Sequence, residues 1–292
     1  MASGPLTRVR DFFLGPLTAQ TNDSEPEPSE PSSPTSEFVI IQWLPSTQYS
    51  QDVTVRAISS YYNFLSTILF DLQPEEIDWP PPSGWPQITE EDGAYLNKNK
   101  TVIELLRHLP YFRQPQGDPF VWMQDTPVLC YQQGVGYADD HERTLFVDPY
   151  ESEVPPHVVS LAHGLVDAYY VMLDTERGVI YWDGCREMPG TELTSTEVVE
   201  KRHKWKTYST FLVEDFFEML KQKFRDLKWI AVNPTDIREI DYGSQIDEEY
   251  NHMRKALQDA GWPGDGEGGG WDRDAAAKKF SEIEEEFDGP IS

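Results

Sequence analysis

Apolar residues change their spacing along this chain, and each spacing predicts a kind of element. The run FVIIQWL, residues 38–44, is short, continuous and β-branched, which indicates a buried strand. Residues 53–70 place apolar side chains three and four positions apart, which predicts an amphipathic helix with Asp52 as its N-cap. The phrase DWPPPSGWP, residues 78–86, then favours an extended, polyproline-like path because consecutive prolines oppose a helix.

The central part of the sequence predicts a second helix followed by an antiparallel sheet. The helix begins at Thr101, which forms a capping-box pattern with Glu104, and Pro110 ends it. Residues 120–183 then hold short β-rich runs separated by Gly, Pro and Asp, a pattern typical of an antiparallel meander. The segment Asp174–Gly178 joins the last two runs and has the length of a hairpin turn, and its final glycine suits a positive φ angle.

The helical period returns at Tyr208 and predicts a helix that covers one face of the sheet. Its apolar stripe is Leu212, Phe216, Leu220, Phe224 and Leu227, and its opposite, solvent-facing side carries Glu214, Glu218 and Lys221. Residues 246–260 predict a further amphipathic helix, which Gly261 and Pro263 end.

These elements define an α+β fold, with an antiparallel sheet of about six strands covered by helices. We expect residues 1–37 to be a disordered N-terminal segment and linker, because their second half is dominated by Pro, Ser and Glu. Residues 38–245 would form the α+β domain. Residues 246–292 would hold the C-terminal helices, with a flexible joint over Gly264–Gly270 and a flexible, weakly attached acidic helix over Asp274–Phe287.

At 292 residues the chain is long enough to bury a large core without a disulfide or a metal. Its two cysteines, Cys130 and Cys185, are far apart and share no ligand spacing, which argues against a zinc site and fits a reducing compartment. The N-terminal residues lack the apolar core of a signal peptide, and no stretch holds the roughly 18 apolar residues that span a bilayer. We therefore expect a cytoplasmic protein, with the nucleus as the alternative compartment.

Charge narrows the range of partners. The chain holds 24 Lys and Arg against 51 Asp and Glu, a formal net charge of -27, which repels phosphate backbones and anionic membrane surfaces. The simplest interpretation of this charge is solubility, and the alternative is attraction for a partner with a basic surface. We expect a protein partner, no binding of nucleic acid or membrane, and a monomeric chain.

The stretch PPHVVSLAHGLVDAYYVMLDTERGVIYWDG, Pro155–Gly184, resembles the central block of the SUKH superfamily, which includes the yeast cell-wall assembly regulators. In that family the last strand of the block ends in a Trp-Asp pair, which here would be Trp182 and Asp183. The run YSTFLVEDFFEMLKQKF, Tyr208–Phe224, is similar to the helix that follows the family's sheet. TVIELLRHLPYF, Thr101–Phe112, is similar to its earlier helix.

The SUKH resemblance implies a compact α+β domain that binds proteins. Such domains neutralise toxins as bacterial immunity proteins and act in fungi as regulatory scaffolds of cell-wall and signalling pathways. No catalytic residues carry over from the family. A second resemblance, to uncharacterised cytosolic proteins of filamentous fungi, rests on the LLRHLPY and GWP phrases and implies no activity.

Candidate metal and cofactor sites are weak. His157 and His163 have an even separation along a predicted strand and would need a third ligand such as Asp167, and histidines beside turns are more often ordinary side chains. The GVG phrase at 134–136 opens like a dinucleotide fingerprint but lacks the third glycine and the helix. We therefore expect no metal and no cofactor.

Two hypotheses about reactive groups stay open beside simpler alternatives. Cys185 follows a Trp-Asp-Gly turn and is the better candidate for a thiol nucleophile, which makes a cysteine-dependent hydrolase the alternative function. Inert packing is the simpler interpretation of this cysteine. Asp167, Asp174 and Asp183 lie near turns and would suit acid-base work or calcium if clustered. We favour the interpretation that Asp174 and Asp183 accept hydrogen bonds from the amides of the hairpin turn.

Tryptophans are the best candidates for partner binding. Trp79 and Trp85 flank the proline run, and Trp262 lies in a second Gly-Trp-Pro phrase, all in predicted loops. Aromatic anchors dominate the energetics of protein interfaces, although each indole has the alternative of packing back onto the core. The sequence thus predicts a non-catalytic interaction protein or regulatory scaffold whose partner-binding residues are Trp79, Trp85, Trp182, Asp183 and Trp262.

Overall fold

The fold comes from a computed structural model, which describes residues 48–70, 72, 74–113, 119–134, 154–163, 169–182, 208–240 and 248–287. The helices are α1 Gln51–Ile68, α2 Glu90–Tyr95, α3 Lys100–His108, α4 Val213–Arg225, α5 Glu248–Asp259 and α6 Arg273–Phe287. The strands are β1 Ile77–Asp78, β2 Tyr111–Phe112, β3 Val121–Met123, β4 Thr126–Pro127, β5 Val158–His163, β6 Tyr170–Asp174, β7 Val179–Trp182, β8 Ser209–Leu212, β9 Trp229–Asn233 and β10 Asp236–Glu239. The disorder predicted for 1–37 and the strand predicted at 38–44 lie outside the described residues.

Four strands form the largest sheet among the described residues, in the antiparallel order β5-β6-β7-β8. The other strands form three two-stranded ladders, β1-β2, β3-β4 and β9-β10. The expectation of one sheet of about six strands is therefore wrong, while the mixed α and β content and the antiparallel pairing are confirmed. The strand β4 ends at Pro127, and a bridge between Val128 and Ala162 links the β3-β4 hairpin to β5.

The β6-β7 hairpin has the turn that the sequence predicts. The Asp174 carboxylate accepts hydrogen bonds from the amides of Glu176 and Arg177 at 2.8 and 2.9 Å, which confirms it as the turn acceptor. Gly178 has a φ of +67°, and a Cβ placed there would lie 3.1 Å from the Cα of Tyr49. Glycine is therefore required both by the left-handed backbone and by the close approach of the residues before α1.

The main core lies between the four-stranded sheet, α1 and α4. From the sheet it includes Val159, Leu161, Val171, Leu173, Ile180 and Trp182, while Val158, Tyr170, Met172, Val179, Tyr181 and Tyr208 form a second buried cluster. In the main core, Trp122 of β3 makes T-shaped ring contacts with Tyr61 of α1 at 6.0 Å and with Phe217 of α4 at 5.5 Å. The Tyr61 hydroxyl donates to the Trp122 carbonyl at 2.6 Å, so its polar group is satisfied inside the core.

Two predicted helix starts are displaced by stronger neighbouring caps. The Ser50 hydroxyl caps α1, so Asp52 lies in the first turn and is not the N-cap. Asn99 caps α3 through its side-chain oxygen, so Thr101 lies inside that helix. The capping-box geometry occurs at Thr89, which begins α2, a short helix that the apolar pattern does not reveal. In both corrected cases a good side-chain acceptor stands two residues before the predicted cap.

The helix predicted from Tyr208 begins later, because its first residues form a strand. Ser209–Leu212 pairs with β7 as β8, and α4 begins at Val213. The β-branched and aromatic residues of this run fit a sheet edge, and pairing with β7 outweighs the helical period. Within α4 the predicted stripe residues Phe216, Leu220 and Phe224 are buried, as expected.

Lys221 departs from the solvent-facing side that the period of α4 predicts, since the residue is 4% exposed. Its ammonium donates to the Ser60 hydroxyl at 2.8 Å and lies 2.7 Å from the Glu267 carboxylate. It also lies 5.7 Å from the centre of the Phe64 ring, a favourable position for a cation. Glu267 belongs to the Gly-rich loop, which reaches both α1 and α4 and buries a lysine that the local sequence places in water.

The Gly-rich loop Gly264–Gly270 is hydrogen-bonded, in contrast to the flexible joint that its composition predicts. The Asp265 carboxylate accepts two backbone amides of the same loop at 2.8 and 3.0 Å. Gly268 has a φ of +99°, and a Cβ placed there would lie 1.8 Å from the Thr67 hydroxyl oxygen. The glycines therefore permit close approach to α1, and this contact outweighs the flexibility of the isolated segment.

The C-terminal helix α6 packs on the fold, in contrast to the weak attachment that its acidic composition predicts. Its apolar stripe, Ala276, Phe280 and Ile283, is buried. The Phe280 ring lies 4.9 Å from the Phe70 ring in a T-shaped pair. The Arg273 guanidinium donates to the Phe70 carbonyl at 2.9 Å, so an aromatic contact and a charged hydrogen bond both join α6 to the end of α1.

We predict that Glu267→Gln destabilises the fold, because it removes the carboxylate that pairs with both the buried Lys221 ammonium and the Arg225 guanidinium. The effect should be about 1 kcal/mol, near the low end for a charged hydrogen bond, since the Glu267 side chain is 59% exposed. The matched control is Glu282→Gln, which removes an exposed pair with Lys279 on α6. Urea denaturation should show a lower midpoint for the first variant alone, and equal midpoints would contradict the role of Lys221.

Buried tyrosines predict an alkaline transition. Burial raises the pKa values of Tyr61, Tyr62, Tyr111 and Tyr131 well above their usual range, whereas an unfolded tyrosine ionises near pH ~10. The unfolded state therefore releases protons first, so stability is complete below about pH 10 and falls as the pH rises further. Tyrosinate absorbance and far-ultraviolet circular dichroism should then change together, and full ionisation with unchanged dichroism would refute this linkage.

Candidate protein-binding site

One tryptophan stands apart from the others among the described residues because its side chain is exposed to solvent. The sequence holds nine tryptophans, of which Trp43 and Trp205 lie outside the described residues. Trp79 is 43% exposed, and the only other exposed large hydrophobic side chain among the described residues is Phe287 at 38%. Of the five predicted partner-binding residues, Trp79 is therefore the one that the structure places at the surface, and Asp183 lies outside the described residues.

Trp182 and Trp262 are core residues, so they cannot contact a partner in this conformation. Trp182 packs in a T-shaped pair with Phe216 of α4 at 5.7 Å. The Trp262 indole N–H donates to the Phe224 carbonyl at 3.0 Å, and its ring lies 5.0 Å from that of Trp271. Trp262 follows the alternative interpretation of its sequence, and both indoles are buried because removing their apolar surface from water is favourable.

Trp85 also turns back onto the fold and is half-buried. Its indole N–H donates to the Leu109 carbonyl at 2.8 Å, just after the end of α3. Its backbone amide donates to the Arg107 carbonyl at 2.8 Å, and its ring lies 6.3 Å from the Tyr111 ring. Trp85 is thus a fixed anchor at one end of the proline run.

The other end of the proline run is held by Asp78, the last residue of β1. The Arg113 guanidinium donates to the Asp78 carboxylate at 2.7 Å, and the Gln132 side-chain amide donates to its second oxygen at 3.0 Å. The hydrogen bond from Arg113 lowers the pKa of Asp78, so this carboxylate stays charged at neutral pH. The β1-β2 ladder and this ion pair place Trp79 immediately beside a fixed strand.

Residues 79–83, Trp-Pro-Pro-Pro-Ser, connect these two anchors, and we name them the Trp79 loop. The Gly84 amide donates to the Pro81 carbonyl at 2.8 Å, which closes a turn. The Arg107 guanidinium donates to the Ser83 carbonyl at 2.9 Å. A Cβ on Gly84, whose φ is +76°, would lie 2.9 Å from the Cβ of Arg107, so glycine permits this contact.

The Trp79 loop is therefore a rigid platform for an exposed indole. Pro81, Pro82 and Ser83 are exposed and Pro80 is half-buried. The three prolines have a fixed φ, and both ends of the loop are tied to secondary structure, so little chain entropy remains to be lost on binding. Sequence reasoning identified the segment from its prolines, but it had no signal to separate Trp79 from Trp85.

The histidines that the sequence analysis considered as metal ligands, and set aside, are His157 and His163. His157 lies 3.3 Å from the Glu176 carboxylate and 4.0 Å from that of Asp174, while Asp167 and the His163 side chain fall outside this part. No group of three His, Cys, Asp or Glu residues suited to a metal occurs among the described residues. Beside Asp174, burial first and the carboxylate second raise the pKa of Tyr181 to about 12, so its phenol stays protonated at neutral pH.

The structure describes only some of the residues behind the hypotheses of a cysteine nucleophile and of a dinucleotide site at the GVG phrase. Cys130 is half-buried, whereas Cys185, the predicted nucleophile, lies outside the described residues. Gly134, which opens the GVG phrase, lies in a turn with a φ of +75° after Tyr131, and the rest of that phrase is likewise outside. The hydrolase alternative at Cys185 therefore stays a hypothesis.

No family model, curated protein or solved structure matches this chain. Within the described residues, no helix combines the length and the apolar character needed to cross a membrane.

We predict that Trp79 supplies quencher-accessible fluorescence without supporting the fold. Trp79→Phe should reduce the iodide-quenchable fraction of tryptophan emission and leave the urea midpoint unchanged, because its indole is exposed. Trp85→Phe is the matched control: it removes the hydrogen bond to the Leu109 carbonyl and should cost about 1 kcal/mol with little change in quenching. An unchanged quenchable fraction in Trp79→Phe would contradict the exposed position of Trp79.

Proposed function

We propose that this chain is a non-catalytic protein-protein interaction protein, a regulatory scaffold of the SUKH type, and that the Trp79 loop is its contact with a partner. The observation that carries the proposal is the 43% exposure of Trp79 on a loop tied down at both ends. Tryptophan is one of the residue types, with tyrosine and arginine, that are enriched among the energetic anchors of protein interfaces.

The accessible part of the indole is large enough to matter. A tryptophan buries up to roughly 250 Å², so 43% exposure leaves on the order of 100 Å² for a partner to cover. At about 25 cal/mol per Å² this area corresponds to roughly 2–3 kcal/mol. An exposed ion pair contributes about 0–1 kcal/mol, so the indole outweighs any single surface charge as a source of affinity.

Topology supports the SUKH part of the proposal. The resembling stretch forms the β5-β6-β7 meander, and a helix, α4, follows the sheet and covers one side of it. The strand β8 precedes that helix and extends the meander by one strand. The net charge of -27 supports a partner that carries a basic surface, because such a partner is attracted over a distance while nucleic acid is repelled.

The test compares three forms of the full-length protein as bait in cells that express it natively. Trp79→Ala should reduce recovery of at least one partner more than ten-fold, the effect expected for loss of roughly 2 kcal/mol or more of contact energy. Phe287→Ala is the matched control, because it removes the other exposed large side chain, at the end of α6. Mass spectrometry quantifies the recovered proteins against the unmodified bait.

The outcomes of this comparison separate cleanly. Loss of a partner with Trp79→Ala and its retention with Phe287→Ala supports the proposal. Retention of every partner by Trp79→Ala refutes the Trp79 loop as the contact. Circular dichroism and the urea midpoint of each bait, measured beforehand, show that the variants are folded, which the exposed positions of both residues lead us to expect.

A further inference from the structure

We infer that the partner recognises the Trp79 loop as a polyproline ligand. The loop would bind in an aromatic-lined groove that also binds the Trp79 indole. This inference rests on the proposed function and narrows it to one mode of recognition. It requires a partner domain whose groove accepts an extended proline run, as opposed to a helix-binding cleft or the edge of a sheet.

The composition and exposure of the loop fit this mode. Three consecutive prolines, Pro80–Pro82, follow the exposed tryptophan, and the last two are exposed. A polyproline helix has three residues per turn and rises about 3.1 Å per residue, so Trp79 and Pro82 would lie on the same face about 9 Å apart. Pro82 occupies the first central position of the turn closed by Gly84, where a φ near −65° suits both the turn and the extended helix.

Hydrogen bonding supports the same mode. Prolines lack an N–H, so the loop can only accept hydrogen bonds through its carbonyls along this run. The carbonyls of Pro81 and Ser83 are used internally, by Gly84 and Arg107. A groove that recognises this run would therefore supply hydrogen-bond donors to its carbonyls.

The charge of the chain bears on which partners would be attracted to the loop. Glu75 is exposed and lies shortly before the tryptophan, and the whole chain carries a net charge of -27. Asp78 contributes little, because Arg113 neutralises it. A partner with a basic surface is therefore attracted by the net charge of the chain.

Preorganisation distinguishes this ligand from a linear proline-rich peptide. In the fold, the β1-β2 ladder holds one end and the Trp85 indole N–H holds the other. A free peptide must lose backbone freedom when it binds, whereas this loop has already lost it during folding. The folded chain should therefore bind several-fold more tightly than a peptide of residues 74–85.

The experiment titrates the full-length protein with purified WW, SH3 and EVH1 domains and follows tryptophan fluorescence and calorimetry. We expect at least one domain to bind with a dissociation constant of about 100 μM or tighter. Trp79→Ala and Pro82→Ala should each weaken that binding ten-fold or more, while Phe287→Ala leaves it unchanged. The synthetic peptide of residues 74–85 should compete, with several-fold lower affinity than the protein.

The results that would contradict polyproline recognition differ from those that would contradict the proposed function. If none of the three domains binds, or if binding is unaffected by Trp79→Ala, polyproline recognition is refuted. Should the baits still lose a partner with Trp79→Ala, the proposed function survives and only its mode is wrong. Light scattering provides the last arm, since self-association that disappears with Trp79→Ala would assign the loop to a second copy of the chain and overturn the inference.

Discussion

The fold depends on one packing contact, in which α1 and α4 bury their aromatic faces against Trp122. Tyr61 and Phe217 meet this indole edge to face, and the phenol hydroxyl in the contact is satisfied by a backbone carbonyl. Aromatic side chains bury more surface per residue than aliphatic ones, so this contact contributes heavily to the hydrophobic free energy. Short ladders such as β1-β2 cannot hold themselves together and rely on this packed base.

Prediction from the sequence succeeded for the elements that are determined by neighbouring residues alone. The helix α1, the β6-β7 hairpin with Gly178 and the buried stripe of α4 follow from period and turn chemistry alone. Prediction failed where a distant segment decides the outcome. Lys221 is buried because the Gly-rich loop supplies Glu267, 46 residues later, and residues 209–212 become a strand because β7 offers an edge. The local propensity of residues around Lys221 or over 209–212 carries no information about Glu267 or β7.

The candidate site was predicted only in part for the same physical reason. Trp79 and Trp85 flank the same prolines, but the Trp85 indole donates to the Leu109 carbonyl whereas Trp79 is exposed. Trp262 is buried, and its indole donates to the carbonyl of Phe224, a residue of α4. A single sequence shows that an indole is present but does not show which carbonyl faces it. Asp183, outside the described residues, stays a prediction.

The attachment of the Trp79 loop to α3 has a mechanical consequence. The Arg107 guanidinium holds the Ser83 carbonyl, and the Arg107 carbonyl holds the Trp85 amide, so one helical residue clamps the loop from two directions. A partner that binds the indole would be held in a fixed orientation relative to that helix and, through the helix, relative to the whole domain. The chain would then fix the angle between this domain and the bound partner, whereas a flexible linker would fix only the distance between them.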